Sequence, residues 1–144
     1  MKDNISKQLK FLIAYYGLLQ SLHLLVLIRA GFMLLQGDPA PFPILPPAGG
    51  WQEQTMPFML GLAGMDLLGI FLGIFYSYQT ISTRKHPRLL GILSLTIFIS
   101  GAVIFAAGTF PSGAWAAHPF AYWAMVILFA PSPILYVKLL KSRS

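Results

Sequence analysis

The chain has 144 residues, of which 56% are hydrophobic and only 10% charged, against about 25% charged in an ordinary soluble domain. Its net charge is +6, yet the basic residues are grouped in a way that excludes a nucleic-acid surface, as shown below. The absence of cysteine excludes disulfides, thiolate metal sites and thiol nucleophiles.

A bilayer core of about 30 Å is crossed by about 20 apolar residues in a helix, at about 1.5 Å per residue. Lipid offers no partner to a free backbone group, so each crossing segment must be helical. Four stretches have the length: Phe11–Leu35, Pro57–Gln79, Leu89–Thr109 and Phe120–Leu140. The expected fold is therefore all-α: a single domain over 1–144, an integral membrane four-helix bundle.

The first span follows Lys2, Lys7 and Lys10. It is longer than a signal-peptide core and no small-x-small cleavage site follows it, so it is read as a retained helix. His23 lies near its middle, with Gln20 at i−3 and Tyr16 at i−7 on the same face. Together they form a polar strip. Arg29 lies six residues before Leu35, roughly 9 Å below the outer border.

The loop Gln36–Met56 is longer than a hairpin needs. It carries Pro39, Pro41, Pro43, Pro46 and Pro47, then Gly49, Gly50 and Trp51. Prolines stop it from becoming a regular helix. Phe42, Ile44, Leu45 and Trp51 make it apolar. It reads either as a loop lying on the outer membrane surface or as a lid over the mouth of the bundle.

The second span holds Asp66, nine residues past Pro57 and roughly 13 Å below the same border. Its depth is close to that of Arg29, and an Arg29–Asp66 ion pair is geometrically open to these helices. A charge in hydrocarbon usually faces protein or trapped water. Gly69, Gly73 and Ser77 continue the Asp66 face as a small-residue stripe, which lets helices approach closely.

Arg84, Lys85, His86 and Arg88 form the connection to the third span, where Ser94, Thr96 and Ser100 are read as hydroxyls bonded back to their own helix. The second outer connection, Phe110–Pro119, shows no special feature. In the fourth span, Pro131 and Pro133 flank Ser132. The missing donors free carbonyls near Ile127 and Phe129, and a kink is expected there. Lys138, Lys141 and Arg143 end the chain.

Nine of the ten basic residues thus precede span one, lie between spans two and three, or follow span four. The other two loops hold none, and Asp38 and Glu53 lie in one of them. This pattern places both termini and the middle loop in the cytoplasm, and the long Pro-rich loop outside. It implies a multi-pass protein of the cell membrane, whose basic ends contact anionic lipid heads. Tyr15, Tyr16, Tyr76, Tyr78 and Tyr136 are expected in a belt at the inner border. Trp51, Phe110, Trp115, Phe120, Tyr122 and Trp123 are expected in one at the outer border.

The loop Pro39–Trp51 and the run Gly61–Gly73, GLAGMDLLGIFLG, resemble two groups of small four-helix membrane proteins. One is the DoxX-like group. The other is the EXPERA group, which includes the sigma-2 receptor and sterol isomerases. The resemblance implies that Asp66 is the acidic residue that lines a pocket for amines and sterols in the EXPERA group. The first span departs from that pattern, with Arg29 and His23 where a second pocket acid is expected.

No hydrolase elbow, zinc-binding HExxH, phosphate loop or dinucleotide fingerprint is present. The three histidines lie at three levels and cannot share one metal within a monomer. No cofactor, metal or catalytic residue is assigned. Three functions remain open. One is an intramembrane pocket for a hydrophobic small molecule or lipid, with Asp66, Arg29, His23 and Gln20 as polar contacts. Another is an accessory subunit packed on a membrane-protein partner or on a second copy of the chain. The last is a proton-linked transporter or membrane enzyme.

Overall fold

The structure is a computed structural model that describes residues 5–37, 45–52, 55–83 and 85–142. Pro39, Pro41, Phe42, Pro43 and Ile44 of the Pro-rich loop lie outside the described residues. So do Asp38, Glu53, Lys2, Arg84 and Arg143. Among the described residues there is no β-strand. The helices are α1 (Lys7–Leu35), α2 (Thr55–Ser82), α3 (Arg88–Thr109), α4 (Ala114–Ala117), α5 (Pro119–Phe129) and α6 (Pro131–Lys141).

Four stretches are long and apolar enough to cross a membrane: Lys7–Leu35, Pro57–Ser82, Arg88–Ser112 and Pro119–Lys141. They overlap the four expected spans and extend beyond them at most ends. α1 starts at Lys7 because Ser6 caps it: Ser6 Oγ accepts from Leu9 N at 3.2 Å. Large apolar side chains such as Leu25, Phe71, Val103 and Ile127 point outward, as a lipid-facing surface requires.

The fourth span is two helices. α5 ends at Phe129, Ala130 forms the turn, and α6 starts at Pro131. The broken ladder leaves carbonyls for other donors, and Tyr15 Oη donates to Leu128 O at 2.8 Å.

α6 packs against α3 and α1, and α2 packs against both α1 and α3. At the end of α6, Arg88 donates from Nε to Leu139 O at 2.7 Å and from a terminal nitrogen to Leu140 O at 2.9 Å. Lys138 Nζ reaches Gln8 Oε1 at 3.1 Å. The starts of α1 and α3 and the end of α6 therefore meet at one end of the bundle, called here the terminal end.

The small-residue stripe does what its size predicts. Gly69 faces Ile97 of α3. A Cβ at Gly73 would lie 2.9 Å from Ser94 Oγ, 3.0 Å from Gln20 Cγ and 3.0 Å from Tyr16 Cε1. Ser77 faces α1, where a Cβ on Gly17 would lie 2.6 Å from its Cβ. Side-chain hydroxyls then bond across the helices. Ser77 Oγ donates to Ile13 O at 3.2 Å, and Ser94 Oγ donates to Gly69 O at 2.9 Å. Ser94 thus serves α2 rather than its own helix, while Thr96 bonds back to Ile92 O as expected.

Two apolar cores result. The one in the terminal half holds Ile13, Tyr16, Tyr76, Leu95, Leu135 and Leu139. Tyr16 and Tyr76, expected in the inner belt, are 1% and 0% exposed and belong to this core. The far-half core holds Met59, Leu62, Phe105, Ala114, Trp115 and Tyr122. The Phe110–Pro119 connection, featureless by sequence, is folded. A 3-10 turn at Phe110–Ser112 is followed by Gly113 at φ 83°, and α4 then buries Ala114 and Trp115.

Candidate functional site

α5 stands away from α1, α2 and α3. Ring side chains cross the gap that its backbone leaves. Phe129 meets Phe98 edge-on at 5.1 Å between centroids, and Tyr122 stacks over Phe105 at 6.4 Å. Between these bridges lies a cavity of about 850 Å³. Leu19, His23 and Phe98 close its deep end, near the middle of the bundle. Trp115, Tyr122 and Leu45 close its far end. Its volume is within the range of about 300–1,000 Å³ that holds a single compact ligand.

The far end is pinned by the Pro-rich segment. Tyr122 Oη donates to Leu45 O at 2.9 Å, and His118 Nε2 lies 3.0 Å from Pro46 O. Gly50 turns the segment at φ 78°, and Trp51 packs on the far core. Trp115 Nε1 donates to Thr109 Oγ1 at 3.0 Å. The polar atoms of Trp115 and Tyr122 are therefore committed to the protein itself.

Asp66 and His23 are the other ionisable side chains on this wall, and they are not committed. Among the described residues, Asp66 forms no ion pair or hydrogen bond. Its carboxylate lies over α3 where Gly101 leaves room: a Cβ there would sit 2.6 Å from Asp66 Oδ1. The His23 ring lies between Phe98 and Phe129, at 6.5 and 6.2 Å between centroids. Its Nδ1 is buried without a partner. An apolar chamber with two uncommitted polar groups can hold an apolar body and orient one polar group on it.

Of the four residues singled out by sequence, two line this cavity: Asp66 and His23. Gln20 lies one turn below His23, fully buried in the terminal half and off the cavity wall. Arg29 is exposed on the outside of α1, and it does not pair with Asp66. At 3.6 residues per turn, six residues from His23 carry Arg29 well round the helix from the cavity. Equal depth was not enough to make the pair.

Sequence reasoning missed Gly101, Leu45, Trp115 and Tyr122. Gly101 carried a signal, because a glycine inside a span marks a close approach. Trp115 and Tyr122 carried none, since an aromatic residue at a span border reads equally as a lipid-belt residue, and Leu45 stood out only as part of the apolar loop.

No family model, no curated protein and no solved structure matches this chain.

Proposed function

We propose that this protein binds one compact, mostly apolar molecule within the membrane, in the cavity between α5 and the rest of the bundle. The observation that carries the reading is the pairing of a chamber of about 850 Å³ with two uncommitted polar groups, Asp66 and His23. The ligand's polar group is held at the deep end by these two side chains. Its apolar body fills the space toward Trp115 and Tyr122. The Leu45–Trp51 segment serves as the lid, pinned to α5 through Tyr122 and to its neighbour His118. The likeness to the EXPERA group would likewise give Asp66 a place on a pocket wall.

The membrane is the cell membrane, with the terminal end in the cytoplasm. Lys7, Lys10, Lys85, Arg88, Lys138 and Lys141 gather at that end, and the positive-inside rule orients the bundle accordingly.

Native mass spectrometry of protein extracted from its own membrane in mild detergent tests the reading. A small hydrophobic molecule should be retained on the monomer. Ala102→Trp, which places an indole in the cavity, should remove it, and Asp66→Asn should weaken its retention while the helical content stays intact. Retention that survives Ala102→Trp places the ligand elsewhere. Larger chains co-purifying in fixed ratio, with no small molecule, would replace this reading with that of a complex subunit.

A further inference from the structure

Below the cavity, polar side chains continue through the packed half of the bundle. His23, Gln20 and Tyr16 follow at steps of three and four residues on α1, a spacing that keeps Cβ atoms about 5–6 Å apart on one face. Gln20 is 0% exposed, and neither Nε2 nor Oε1 has a hydrogen-bond partner in the protein. Tyr16 Oη meets Ser94 Oγ at 2.7 Å. Gly73 gathers Gln20, Tyr16 and Ser94 around a single point, where its missing Cβ would touch all three. One turn further on α2, Tyr76 is 0% exposed with its Oη unpartnered. Its ring lies 6.0 Å from that of His86, centroid to centroid, in the connection at the terminal end. On α6, Ser132 Oγ is another buried hydroxyl without a partner, on the face that sends Leu135 and Leu139 into the same core.

Packing does not require the amide of Gln20 or the hydroxyls of Tyr76 and Ser132. Leu, Phe and Ala would fill similar space, and each unsatisfied buried polar group costs about 1–3 kcal/mol. Buried groups of this kind are commonly bridged by internal water, which needs two to four polar partners.

We propose that Gln20, Tyr16, Ser94, Tyr76 and Ser132 hold a file of water molecules between His86 and the deep end of the cavity, so that water from the terminal side reaches His23. The hydroxyls and water both donate and accept. Nδ1 of His23 is buried without a hydrogen-bond partner. The uncharged rings of Phe98 and Phe129 flank His23, and Asp66 of α2 lines the same cavity.

The test uses the full chain in lipid bilayers, with nitrogen-15 in the glutamine and histidine side chains. Solid-state NMR then measures how fast magnetisation passes from water to each. The Gln20 amide should receive it about as fast as the surface amide of Gln8, and His23 Nδ1 should follow. Tyr76→Phe and Ser132→Ala, each lacking one oxygen, should slow the transfer to His23 by about tenfold. Ala102→Trp, which fills the chamber above, should not. A Gln20 amide in the wild-type protein that receives water magnetisation as slowly as the lipid-facing backbone overturns the proposal, and no variant is needed for that result. Transfer to His23 that Ala102→Trp abolishes, and that Tyr76→Phe and Ser132→Ala leave unchanged, overturns it too, because the water then enters through the cavity. Neither readout depends on whether the cavity retains a ligand.

Discussion

In the terminal half of the bundle, α6 lies against α1 and α3, and glycines bring backbones within side-chain-free contact. In the far half, α5 stands off and only aromatic rings reach across. The α2–α3 pair is close along its whole length, at Gly69 against Ile97, Gly101 against Asp66 and Gly108 against Phe58. The fourth span therefore accounts for much of the difference between the halves. A bundle this small keeps a chamber by splitting one of its helices, leaving the other three packed.

Substitutions at matched sites in the two halves test that contrast. The largest effect is expected at Leu135, which is 1% exposed on α6. Leu135→Ala should cost about 2–5 kcal/mol, as buried Leu→Ala changes do. Ile127→Ala, at a site on α5 that is 71% exposed, should stay within about 0.5 kcal/mol. Reversible unfolding in mixed micelles measures both, and equal losses would erase the distinction between the halves.

Next come the glycines of α2. Gly73→Ala meets three side chains at 2.9–3.0 Å and should cost about 1–3 kcal/mol. Gly64→Ala meets nothing within 4 Å and should be neutral or stabilising by up to about 1 kcal/mol. The same unfolding assay should separate them in sign.

Smaller effects follow at the hydroxyls. Tyr16→Phe removes the bond to Ser94 and should cost about 0.5–1.5 kcal/mol in stability. Tyr122→Phe releases the Leu45 carbonyl at the lid and should instead speed ligand release, seen as faster exchange of a retained molecule for an added competitor. The smallest change is expected at Gly101. Gly101→Ala presses on the far end of the Asp66 side chain, which can swing away. Stability should hold while ligand retention falls.

The extent of each span was legible in the sequence and its rotation was not. Hydropathy located the four spans, because crossing a bilayer is a requirement on length. The proline break at Ala130 was legible because a missing donor acts locally. The Gly69–Gly73–Ser77 face was legible because close approach depends on residue size. By contrast, Tyr16 and Tyr76 looked like border residues and are core, and Arg29 looked like a partner for Asp66 and is exposed. Helices that are apolar all round have no hydrophobic stripe to show which side faces protein. The lid contacts were beyond reach for another reason: Tyr122 and His118 bond to main-chain carbonyls of Leu45 and Pro46, and a carbonyl leaves no mark on residue identity.

The break at Ala130 also divides the anchorage of the fourth span. α6 is held by two neighbours and by the Arg88 bonds at its end, while the far end of α5 is tied to the carbonyls of Leu45 and Pro46. The cavity wall that α5 forms thus hangs between two attachments, one at each end.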